Sequence, residues 1–245
     1  RHRPTAMAMT VKSYLAKTRD PYANLILVLP LFVAYQFGIL LTGGVRNGVD
    51  FMTDLLFLAA GQNLWTYLAI NLGIILAFVV ALVVMRDKGN FKLEIWPWVI
   101  GESTIYALFL GTGVITIMRH LGMGQLLATG AGGHFGLIDK LVLSIGAGMY
   151  EELVFRLILT GGLFWLARRV LDWTSWMAAI FAVIASSLAF SGVHYIGSMA
   201  DTFQLGSFLF RFFAGVILAV IYYLRGFAVA VYTHAIYDIM VMVFP

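Results

Sequence analysis

Between Tyr22 and Phe244 the sequence returns seven times to an apolar run long enough to cross a lipid bilayer. A spanning helix needs about 20 such residues. The runs are Tyr22–Leu41, Leu64–Met85, Trp96–Met118, Leu141–Ala167, Trp176–Ile196, Gly206–Leu224 and Phe227–Phe244. In hydrocarbon an unpaired backbone amide or carbonyl costs several kcal/mol, so each run must close its hydrogen bonds internally, as a helix. Composition agrees: 11% of the 245 residues are charged, against about 25% in soluble domains. The expected fold class is all-α, a polytopic transmembrane helical bundle of about seven spans. The shorter apolar segment Val49–Ala60 carries Asp50 and Asp54. It is expected to be interfacial or re-entrant, which leaves room for an eighth span.

The basic residues sit beside the spans, where they set orientation and meet anionic lipid. The sequence pI of about 9.4 therefore does not point to nucleic acid. With seven spans, eleven Lys and Arg fall on the side of the N-terminal arm and four on the other. The positive-inside rule then predicts a cytoplasmic N-terminus. Cysteine is absent, which excludes disulfides and thiolate metal sites. The opening RHRPTAMAMT lacks the apolar core and cleavage site of a secretory signal.

An ionisable side chain within a span is costly and is by default a functional candidate. Six qualify: Glu151, Glu152 and Arg156 in the fourth run, His194 near the end of the fifth, and His234 with Asp238 in the seventh. Glu102, near the start of the third, is expected to face an interface. Glu152 and Arg156 are four apart, acid before base, which suits an intrahelical ion pair. Glu151 is rotated by about 100° from Glu152, and no basic residue stands three or four positions from it. Such a carboxylate suits a general base or acid. Phe190 and His194 are four apart, which puts a ring beneath the imidazole. His234 and Asp238 have the same spacing, which lets the carboxylate fix the tautomer. Gly146, Gly148, Ser186, Ser187, Ser191 and Gly192 flank these positions, and small residues let helices approach closely. The remaining histidines, His2, His120 and His134, are expected in solvent. Taken singly, each of these features also has a bland meaning: a tether between helices, or a hydrogen-bonded packing histidine.

Taken together, Glu151-Glu152-x-x-x-Arg156, then Phe190-x-x-x-His194, then His234-x-x-x-Asp238 resembles the three signature motifs of the CPBP family. These are the type II CAAX prenyl endopeptidases and their bacteriocin-processing or immunity-type relatives. The resemblance covers about residues 141–245, a catalytic core of four spans, and leaves 1–140 as an N-terminal arm and three spans. It implies an intramembrane glutamate protease that works without a metal or other cofactor. Glu151 would activate water and His194 would hold that water. Glu152 and Arg156 would support the site, and His234 with residue 238 would stabilise the oxyanion. Position 238 departs from the prenyl-processing pattern, which typically has Asn there; an ionised Asp238 cannot donate. The i,i+4 spacing favours Asp238 orienting His234, which then donates alone. The resemblance further implies a prokaryotic inner or plasma membrane location and a membrane protein or peptide as substrate.

Glu151 lies about 15 Å from the outer end of its span at 1.5 Å per residue. With the N-terminus inside, the site leans outward, towards a membrane-tethered or exported substrate rather than a prenylated cytoplasmic one. Two other classes stay open. Glu151, His194 and His234 could form a His₂Glu zinc set, or the chain could act without proteolysis, as a transporter, scaffold or immunity protein. G-x-S-x-G and H-E-x-x-H are both missing, which removes the rhomboid-type serine nucleophile and the site-2 zinc type.

Overall fold

In a computed structural model of the chain, residues 10–45, 58, 61, 63–87, 89, 91–126, 135–196 and 200–244 are described. The Val49–Ala60 segment (Leu58 apart), His2, His134 and Arg46 lie outside them. No strand occurs among the described residues.

A short helix α1 (Val11–Thr18) precedes α2 (Pro21–Leu41), α3 (Leu64–Met85) and α4 (Ile95–His120). Next comes α5 (Leu137–Gly146), which continues without interruption through π-helical turns at Ala147–Glu151 and Leu153–Thr160 into α6 (Gly161–Arg169). The chain ends with α7 (Ser175–Val193), α8 (Leu205–Arg225) and α9 (Phe227–Val243). Five of these, α2, α3, α4, α7 and α8, are long and apolar enough to cross a membrane, and α9 is a shorter apolar helix. The continuous rod Leu137–Arg169 corresponds to the fourth expected span. The chain is an all-α polytopic membrane protein.

Local chemistry sets the helix starts. Asp20 Oδ1 accepts the Ala23 amide at 3.0 Å, with Pro21 at the first helical position. Asn63 Oδ1 accepts the amides of Trp65 and Thr66. Between α8 and α9, Gly226 takes φ 101°, a conformation that favours glycine. A Cβ there would also run into the Thr18 carbonyl.

Helix α9 is the axis of the bundle and packs against α2, α4, α5, α8 and the first π-helical turn. Its residues Ala228, Val229, Ala230 and Val231 are fully buried, as expected of a helix that is apolar on every side. Close approach explains this position. A Cβ on Gly148 would stand 2.6 Å from Ala235 Cβ and 2.7 Å from the Val231 carbonyl, so α9 lies directly on the π-helical turn before Glu151. Gly146 gives the same room to the Tyr35 ring of α2. Gly192 does not act in this way, since no described atom lies within 4 Å of its Cβ position. Helix α3 packs on α2 and leaves most of its apolar surface open, as a helix facing lipid does.

Candidate active site

All six candidate residues from the three expected motifs meet around the carboxylates of Glu151 and Glu152. These two belong to the π-helical stretch, whose i→i+5 bonds occur mainly as short bulges at functional sites. Thr160 Oγ1 hydrogen-bonds the Phe155 carbonyl five residues earlier, at 2.6 Å, and Ser186 Oγ at 2.7 Å, anchoring the stretch to α7.

Glu152 and Arg156 are both fully buried, with Nε 3.1 Å from Oε2. The contact is an ion pair without hydrogen-bond alignment. The guanidinium lies over the Phe190 ring, 4.5 Å from its centroid, a cation–π contact sheltered from water. The other Glu152 oxygen, Oε1, accepts from His234 Nδ1 at 2.8 Å. Glu152 is therefore the hinge of the site, holding Arg156 on its own helix and His234 on α9.

This changes the role expected for Asp238. Its Oδ2 stands 3.6 Å from His234 Nε2, whereas Glu152 makes the short bond to Nδ1. The i,i+4 spacing does bring Asp238 beside the ring, but the ring is oriented from across the helix interface. Tertiary packing supplies a better-aligned acceptor than the same helix can.

His194 caps the C-terminus of α7. Its Nδ1 faces the Phe190 carbonyl at 2.8 Å. A carbonyl only accepts, so Nδ1 carries the proton, and in the neutral ring Nε2 keeps its lone pair. That Nε2 lies 3.8 Å from Glu151 Oε2, and His234 Nε2 lies 3.8 Å from the same oxygen. Phe190 packs edge-on against both imidazoles, with centroids at 5.3 and 5.9 Å. The ring expected beneath His194 thus serves both histidines and Arg156.

At 3.8 Å these contacts exceed a direct hydrogen bond, a separation at which a polar contact can run through water instead. Glu151 is nearly buried, while the His194 side chain is 22% exposed, so the site has an open edge at His194. No group of three or more His, Asp or Glu among the described residues is arranged to hold a metal ion.

Glu102 departs from expectation in a different way. Rather than facing an interface alone, it receives Arg225 Nε at 2.5 Å and Nη2 at 2.9 Å, and the hydroxyls of Tyr14 and Tyr106. This cluster joins α1, α4 and α8 and stands apart from the six-residue site. The signal for it in sequence was one acid and one arginine at span ends 123 residues apart, which no local spacing pairs.

Residues 133–240 match the family model of the type II CAAX prenyl endopeptidase Rce1-like proteins. Through this region, which holds all three motifs, the chain is similar to that family. No curated protein and no solved structure matched the chain.

Proposed function

We propose that the chain is an intramembrane endopeptidase whose nucleophile is a water activated by Glu151. The observation that carries this reading is that Nε2 of His194 and Nε2 of His234 converge on the same Glu151 oxygen, each at 3.8 Å. A water between them donates one proton to Glu151 and the other to the bare Nε2 of His194. As its oxygen attacks the scissile carbonyl carbon, Glu151 takes the proton, and the carbonyl π pair moves to oxygen. His234, with Nδ1–H held by Glu152, donates from Nε2 to that oxyanion. Asp238 stabilises the positive charge this donor state carries. Collapse of the intermediate breaks the C–N bond, and Glu151 returns its proton to the leaving amine.

The family points to a prenylated CAAX-type C-terminus as one substrate class. Asp238, in place of the typical Asn, and the outward lean that a cytoplasmic N-terminus gives favour a membrane-tethered or exported protein instead. The experiment compares N- and C-terminal peptides of membrane and secreted proteins from prokaryotic cells carrying wild type or Glu151→Gln. A cut found only with wild type supports the reading; identical termini would falsify it. Loss of that cut on treatment with a strong chelator would move the assignment to zinc held by Glu151, His194 and His234. Single cysteines at Lys17 and Asp201, in a chain that has none of its own, place the two ends. Labelling of Lys17→Cys from outside would reverse the orientation.

A further inference from the structure

His194 stands where a helix gives a side chain little support. It is the C-cap of α7, one step past the last helical residue, Val193, and helix ends open locally at low free energy. Holding a water in register needs a supporting shell that fixes the ring. The fixings come from α8. In its second turn, Arg211 Nη2 pairs with Asp201 Oδ2 at 2.5 Å, and Nη1 donates to the Tyr195 hydroxyl at 3.2 Å. The same guanidinium lies 5.5 Å from the centroid of the Tyr195 ring. The Asp201 backbone amide in turn donates to the His194 carbonyl at 2.9 Å. Tyr195 also leans on Phe203 and Phe208, with centroids at 5.1 and 6.2 Å. Ser191 Oγ donates to the Phe208 carbonyl at 2.6 Å. Arg211 therefore reaches the residue after His194 directly, and His194 itself through Asp201.

We propose that the Arg211–Asp201 ion pair is a positioning device that holds the His194 imidazole against Glu151. The proposal rests on the glutamate-activated water above. Neither side chain touches the reacting atoms. Asp201 is 54% exposed and Arg211 25% exposed, and ion pairs in that setting add little to global stability. The effect of breaking the pair therefore falls on His194 and not on the fold.

The test uses the full chain in lipid bilayers, with ¹⁵N-labelled histidine observed by solid-state NMR and His194 assigned by its loss in His194→Asn. In Arg211→Gln and Asp201→Asn the His194 ring signals shift or broaden and the melting temperature is nearly unchanged. An unaltered His194 signal in Arg211→Gln overturns the proposal, whatever the substrate. On a substrate identified by the terminal-peptide comparison, Arg211→Gln lowers kcat about 10- to 100-fold with KM little changed. That loss disappears in a His194→Ala background, because the pair then has nothing to position. An equal loss in both backgrounds overturns the proposal as well. Failure of the glutamate reading shows elsewhere, as cleavage that survives Glu151→Gln.

Discussion

Glu152 and His234 stand 82 residues apart in the chain and share a hydrogen bond of 2.8 Å between Oε1 and Nδ1. The same carboxylate turns its other oxygen to Arg156 at 3.1 Å. One buried side chain thus neutralises a buried cation and aims a histidine, and these two duties can be separated by mutation.

Replacing Glu152 with Ala leaves Arg156 buried without its counter-charge, which costs about 3–5 kcal/mol. The double change Glu152→Leu with Arg156→Met recovers most of that, since an apolar pair carries no desolvation penalty. Cleavage is lost in both, because His234 no longer has its acceptor. Thermal unfolding in one detergent measures the first effect; a double variant no more stable than the single would contradict it.

Gly148→Ala is a small change with a large expected effect. The new methyl would stand 2.6 to 2.7 Å from Ala235 and the Val231 carbonyl, so α9 must move and take His234 with it. Activity should fall about 100-fold, the scale of an ångström-sized misplacement. Gly162 has no described atom within 4 Å of its Cβ position, and Gly162→Ala should instead stabilise the helix by about 0.5–1 kcal/mol. Parallel assays of the two variants decide the point, and equal behaviour would refute the close-approach argument.

Tyr14, in α1, donates to Glu102. Burial first, and that bond second, raise its phenol well above the usual tyrosine value. The folded pKa exceeds the unfolded value of about 10. Its contribution to stability is therefore complete below about pH 10 and is lost as pH rises through the folded value. Difference absorbance titration of wild type against Tyr14→Phe isolates this group. A tyrosinate midpoint at or below about 10 would exclude the buried, Glu102-bound state.

The same cluster fastens the N-terminal helix to the bundle. Glu102→Ala removes the carboxylate that Arg225, Tyr14 and Tyr106 share. Each charge-assisted bond contributes about 1.5–3 kcal/mol, so α1 should open about 10- to 100-fold more often. Limited trypsin digestion at Lys12 and Lys17 should speed up by that factor, with the active-site residues unaffected. An unchanged digestion rate would show that α1 is held by other contacts.

Much of the architecture was legible because lipid as a solvent leaves few choices. Long apolar runs with almost no charge become helices, and every described helix from α2 to α9 falls on an expected run. The i,i+4 spacings of Glu152 with Arg156 and of Phe190 with His194 could also be read, because a helix carries such pairs on one face. What could not be read depends on helices meeting at a particular rotation. Helices that are apolar on all sides, such as the start of α9, hold no periodic signal for which face turns inward. Hence Asp238 looked like the orienting partner of His234 while Glu152 was closer. Glu102 and Arg225 gave no sign of each other, and nothing local announced the π-helical turns.

By itself, then, the sequence determined the apolar helices and the six ionisable groups embedded in them, through the cost of exposing backbone and charge to hydrocarbon. Only the tertiary structure decided the pairings among those groups. Gly148 lets α9 lie against the π-helical turn, which puts His234 Nδ1 on Glu152 and its Nε2 towards Glu151. A hydrogen bond across 82 residues is set by the distance and rotation between two packed helices, and neither quantity is written in the spacing along either one.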